Sequence, residues 1–268
     1  MGFEEEWKSR VVGMYRTSEV LDVKHAIHKE WSTVPIDFWG EIVKRINLDD
    51  NSTLLDVGCG TGELCDLVQS AFPKSKVFGL DIAGEVFSKI KMETDPSICY
   101  LVGDVENLCF PDESIDVLTA IHSFPYVRNL DVALSQIFTT VSGGGKFIVT
   151  ANSLSSYPHV SKYREKIFSL YGWGEPVFPS TYFNLENMCG ILSRYFPKVE
   201  VATLRGEMSV PVERFLPYFS ANIDVWDRKV SPDERAQILS KVGEWIEKDA
   251  QNGMIIEPKY VGIATCNR

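Results

Sequence analysis

Between Leu54 and Gly62 the chain reads LLDVGCGTG, a short apolar run holding one acid, Asp56, followed by glycines at 58, 60 and 62. Glycine accepts the backbone angles of a tight turn, and with no side chain it lets a ligand approach the main chain. Residues from Glu63 onward read as a helix, so the turn presents a helix N-terminus and its free N–H groups to that ligand. Asp81 ends the next apolar run, nineteen residues past Gly62, where an acid can accept from both hydroxyls of a ribose. Asp104 closes a third run, ICYLVGD, and is suited to accept from an adenine amino group. Three acids at three strand ends describe the chemistry of binding a nucleoside.

A ribose-binding acid serves NAD and S-adenosyl-L-methionine equally. The dinucleotide fingerprint, however, places its third glycine three residues after the second, whereas Gly62 follows Gly60 by two. Asp56 would also set a carboxylate against pyrophosphate. A ligand carrying an ammonium and a sulfonium reverses that sign and makes the carboxylate favourable. The residues therefore disfavour an NAD-dependent dehydrogenase and favour a cationic, adenosine-bearing cofactor.

Such residues need a sheet to bring them together. Short apolar runs at 53–57, 76–80, 98–102, 115–120 and 146–150 alternate with gaps that are mostly long enough for a crossover helix. That is the pattern of a parallel sheet covered on both faces. Helices are expected at 3–15, 22–31 and 35–46, the last with Ile36, Trp39, Ile42, Val43 and Ile46 on one face. A further helix is expected at 185–195, with strands at 199–204 and 260–265. The chain has 268 residues, 44% of them hydrophobic, and a formal net charge of −10. This composition suits a folded protein and argues against a nucleic-acid partner, which would need a basic surface field. No run is long enough to span a membrane. The acidic start MGFEEEWKSR lacks the marks of a secretory signal, and six scattered cysteines without CxxC spacing fit free thiols in a reducing cytoplasm.

Taken together, LLDVGCGTG, the acid in GLDI, GDVENLCFPDESIDV and SGGGKFIVT resemble the class I S-adenosylmethionine-dependent methyltransferases, with the ubiquinone/menaquinone-biosynthesis-like small-molecule group as the nearest flavour. The motifs cover roughly residues 50–151. The resemblance implies an α/β, Rossmann-like, seven-stranded, mostly parallel sheet in the order 3-2-1-4-5-7-6, its last strand antiparallel. It implies a single methyltransferase domain over 1–268, made of an N-terminal helical lid (1–49), a cofactor-binding core (50–151) and cap insertions at 152–184 and 205–257. Carried over residue by residue, Gly58, Cys59 and Gly60 pass beneath S-adenosyl-L-methionine and Asp56 lies near its amino-acid end. Asp81 binds ribose, Ile82 packs on adenine, Asp104 meets the adenine amino group with Val105 beside it, and Ile121 holds the methionine moiety. An aromatic from the lid, Tyr15, is expected over the cofactor.

The implied reaction is in-line displacement at a sulfonium methyl, delivered to O, N or C of a small acceptor. Positioning carries much of it, and a general base matters only when the attacking atom starts protonated. His122, just past strand four, is the catalytic candidate, and His28, Trp31 and Tyr126 are candidate acceptor walls. His25 and His28 share a helical face, but without a third ligand no metal is expected. His159 is a further candidate in the cap. The aromatic stretches 171–183 and 211–226 either line an apolar or aromatic acceptor pocket or fasten the cap to the sheet. The alternative reading is a cofactor-binding protein of the same fold that transfers nothing. The partner expected is the small-molecule acceptor, with a homo-oligomer left open.

Overall fold

The chain is described from a computed structural model over residues 3–14, 19–32, 37–90, 97–226 and 228–268. β1 (Thr53–Val57) is buried along nearly all its length because it has strand neighbours on both sides: β2 (Lys76–Asp81) and β4 (Ile115–Ala120) both run parallel to it. β3 (Ile98–Val102) adds outside β2, and β5 (Val141–Asn152) adds outside β4. β7 (Met254–Asn267) pairs antiparallel with both β5 and β6 (Lys198–Pro211). The order is β3-β2-β1-β4-β5-β7-β6, as expected.

Alternate residues of the central strands supply two cores. Leu55, Leu118, Phe147 and Val149 pack against Leu134 and Ile137 of α5 (Leu130–Thr140) and Met188 and Leu192 of α8 (Leu185–Leu192). Leu54, Val117 and Ile148 face the other way, onto Ile42 and Ile46 of α3 (Phe38–Ile46) and Leu64 and Val68 of α4 (Glu63–Ala71). A third cluster builds a cap beyond the strand ends. It joins α1 (Phe3–Met14), α2 (Glu19–Trp31), α6 (Pro158–Tyr171), α9 (Val212–Ile223) and α10 (Pro232–Asp249) around Trp7, Tyr163, Phe215, Phe219 and Trp226.

Two local expectations are corrected. β6 and β7 form a ladder that runs from Lys198↔Asn267 to Pro211↔Met254, longer than the strands expected at 199–204 and 260–265, so the chain leaves the sheet between them over 212–253. Pro258 is tolerated because it faces Glu207 where β7 has only β6 beside it. The described connections flanking β3 are 3₁₀ turns, Gly84–Lys89 and Val105–Asn107, instead of crossover helices. α7 (Pro179–Tyr182) is a single turn in the first cap excursion. Among the described residues no helix is long and apolar enough to cross a membrane.

Candidate active site

The carboxyl ends of β1, β2 and β4 open into a cavity of about 820 Å³, roofed by the cap helices. The turn after β1 forms its floor. Gly58, Gly60 and Gly62 have φ of 69°, 54° and 80°, a left-handed region that other residues enter at a cost. Gly58 donates to the Leu80 carbonyl at 2.7 Å, locking β1's exit against β2. A Cβ on Gly58 would come within 2.3 Å of Ser123 Cβ, whereas one on Gly60 would meet nothing within 4 Å. Gly60 thus leaves main chain bare at the cavity wall. Cys59 is buried against Cys65, and that contact together with burial raises its thiol pKa, so it is packed as a neutral thiol.

The three predicted acids converge on this cavity. Asp56 is 3% exposed, and its Oδ1 accepts from Thr119 Oγ1 at 2.6 Å. Burial pushes its pKa up to about 7; the Thr119 hydroxyl opposes the rise and the Asp81 charge adds to it. Asp81 accepts from Gly60 N and Ala83 N, each at 2.9 Å and each on a different oxygen. Burial raises its pKa despite those bonds. Each oxygen keeps a lone pair for a further donor. Asp104 Oδ1 accepts from Glu106 N at 3.0 Å, and its Oδ2 is met by Lys8 Nζ at 2.7 Å. Lys8 also reaches Glu106 at 2.5 Å. Burial pulls the Lys8 pKa down, but hydrogen bonds to the two carboxylates outweigh it and leave it raised. Ile82, Val105 and Ile121 line the same space.

His122 also lines the cavity, with φ of +55°, its N–H donating to Thr150 Oγ1 at 2.9 Å and its ring stacked on Phe38 at 5.4 Å. A non-glycine residue held in that region marks a position where surrounding structure overrides local preference. His28 lies on the cavity wall between Tyr157 and Tyr218, at 6.0 Å from each ring. Tyr126 also lines it, and its carbonyl accepts from Trp7 Nε1 at 2.9 Å.

Two candidates lie elsewhere. Trp31 packs against the cap cluster and is not among the residues that line the cavity. His159 buttresses β7 through Glu257, with Nδ1 at 3.3 Å from Oε2. Tyr15 lies outside the described residues. The aromatic stretches divide between both expected roles: Phe178, Tyr218 and Val225 reach the cavity, while Trp173, Phe215, Phe219 and Trp226 fasten the cap.

Sequence reasoning missed Trp7 and Lys8 of α1, Phe38, Tyr157, Arg164 and Lys259, all of which line the cavity. Trp7 is 2% exposed with Arg128 over its ring at 3.6 Å. An EEEWK start reads as a solvated amphipathic helix, and nothing local says that its Trp–Lys pair closes a site.

Residues 55–149 match the protein family described as a methyltransferase domain. The sterol 4-C-methyltransferase of Caenorhabditis elegans is 30% identical over 182 residues, 65% of this chain and 49% of its own length. The demethylmenaquinone methyltransferase of Geobacillus sp. strain WCH70 is 25% identical over 146 residues, 52% of this chain and 61% of its own. The chain spans about half the length of these curated relatives. Among solved structures, Haemonchus contortus phosphoethanolamine N-methyltransferase 2 in complex with S-adenosyl-L-methionine aligns at TM-score 0.54 and 20% identity, over 85% of this chain and 51% of that one. A methyltransferase-titled structure from Bacillus halodurans C-125 aligns at TM-score 0.60 and 15% identity, over 87% and 99%. These two share the fold.

Proposed function

We propose that this chain, whose residues 55–149 match a methyltransferase domain, is a class I S-adenosyl-L-methionine-dependent enzyme that methylates O, N or C of a small acceptor with an apolar or aromatic body. The observation that carries this reading is the convergence of Asp56, Asp81 and Asp104 with the open face of Gly60 on one cavity. The donor set fits the cofactor chemically. Asp81 has a lone pair left on each oxygen for ribose hydroxyls, Asp56 is a buried acid suited to an ammonium, and Gly60 leaves room for close approach. The cofactor would supply a methyl on sulfonium sulfur with a neutral thioether as leaving group.

The chain's own part is to bind, orient and exclude water. Trp7 and Lys8 fasten α1 over the cavity through Tyr126, Asp104 and Glu106. His122, pinned by Thr150 and Phe38, is the group placed to take a proton from an acceptor that carries one. The relatives and structural neighbours include C-, O- and N-methyltransferases, so the acceptor must be read from this chain's cavity. The test pairs calorimetry of S-adenosylhomocysteine with mass spectrometry after incubation with methyl-labelled cofactor and an acceptor panel. Binding with label transfer supports the reading; binding without transfer to any acceptor favours the silent alternative, and no binding defeats both.

A further inference from the structure

The acids sit at the ends of β1, β2 and β3, where Lys8 is neutralised by Asp104 and Glu106. Arg164 of α6 and Lys259 of β7 line the same cavity, as do Lys24, Lys29, Arg128 and Arg205. Arg164 is 7% exposed, its Nε is buried without a partner among the described residues, and its Nη2 donates to the neutral Ser161 hydroxyl at 3.2 Å. Its guanidinium lies 3.6 Å over the Phe178 ring, which fixes its plane. Burial lowers its pKa to about 10, still charged at neutral pH. Lys259 has no ion pair among the described residues, its cross-strand neighbour Gly206 offers no side chain, and burial lowers its pKa.

Glu257, two residues along the same face of β7, does not answer these cations. Its oxygens accept from the His159 and Val160 N–H groups at 3.1 and 3.0 Å, and its Oε2 also faces His159 Nδ1. Buried charges in folded proteins are paired or hydrogen-bonded, because an unpaired one is costly. Arg164 is accounted for if the ligand brings the counter-charge, and the half-buried Lys259 adds a second cation to the same cavity. Tyr157 and Tyr218 line the same cavity, and burial raises both phenol pKa values, leaving neutral hydroxyls able to donate to an anion there.

The geometry points to an acceptor that carries an anionic oxygen group, a carboxylate or a phosphate ester, held in this cavity by Arg164 with Lys259 as a second cation. This deepens the methyltransferase reading and rests on it.

The test titrates the full chain, with and without saturating S-adenosylhomocysteine, against two matched pairs followed by ligand-observed NMR: 4-hydroxybenzoate with its methyl ester, and phenyl phosphate with phenol. At least one acid is expected to bind roughly tenfold or more tightly than its neutral partner, and whichever acid binds tells carboxylate from phosphate. Arg164→Gln and Lys259→Met should each weaken that acid about tenfold with S-adenosylhomocysteine affinity unchanged, while thermal stability holds or rises as an unpaired buried charge is removed. Neutral partners that bind as well as the acids, variants that leave acid affinity intact, or no binding by any probe would each overturn the anion site. If a variant does not fold, the wild-type contrast of acid and neutral partner still decides. Loss of S-adenosylhomocysteine binding in the wild type would instead count against the methyltransferase reading.

Discussion

Asp56 provides a pH-dependent test of the site that needs no knowledge of the acceptor. Its pKa rises from an ordinary 3.8 to about 7 on folding because its carboxylate is buried with one hydroxyl for a partner. A native pKa above the unfolded one means that the folded chain binds the extra proton. The associated stability is fully present below pH 4 and is lost as pH rises through 7. A rise of about three, at about 1.4 kcal/mol each, sets an upper bound near 4 kcal/mol. In a chain of this size that is on the order of 10 °C in Tm. Asp56→Asn removes the titration, so between pH 4 and 7 the wild-type Tm should fall relative to the variant; the other raised acids, Asp81 and Glu257, are retained in both proteins. Ligand binding should run the other way. If the ammonium of S-adenosylhomocysteine requires ionised Asp56, its Kd should tighten about 30-fold between pH 5.5 and 8 in the wild type and far less in Asp56→Asn. Calorimetry across that range reads the affinity, and differential scanning fluorimetry reads the stability. Parallel Tm curves for the two proteins, or an affinity indifferent to pH, would refute the placement of a titrating acid beside a cation.

Three further substitutions address the loop, the strained histidine and the lid. Gly58→Ala and Gly60→Ala share the cost of a positive φ, about 1–2 kcal/mol, but only the first drives a Cβ into Ser123; Gly58→Ala should lose the greater stability, and Gly60→Ala should stay folded while S-adenosylhomocysteine affinity drops, both visible in a melt paired with a titration. His122→Ala should retain cofactor affinity and lose about a hundredfold in turnover for an acceptor that must shed a proton, with wild-type turnover removing the histidine from the chemistry. Trp7→Ala removes a 2%-exposed ring bonded to the Tyr126 carbonyl; a deletion of that kind costs about 3–5 kcal/mol, and faster proteolysis within α1 is the expected sign of its release.

What could be read from the sequence was whatever chemistry lies contiguous in the chain. Asp56 and Gly58–Gly62 form a site over a few residues, and the strand-end acids Asp81 and Asp104 come with their own apolar runs. The sheet then follows, since five parallel strands covered on both faces admit few arrangements. The rest of the cavity has no such signature. Arg164 reads as one more charge on an amphipathic helix, and Lys259 sits in EPKYV, where Pro258 argues against a strand. That stretch is strand because its partner GEMSVP continues the ladder past the sheet, and Lys259 lines the cavity because α6 is docked on the same ladder by Glu257. Lys8 likewise meets Glu106 across 98 residues of chain. Cofactor-side features are local because they are backbone geometry. Acceptor-side features are assembled from helices and strand extensions brought in from distant segments, so the sign of the charge awaiting the acceptor emerges only when the fold brings Arg164 and Lys259 to one cavity.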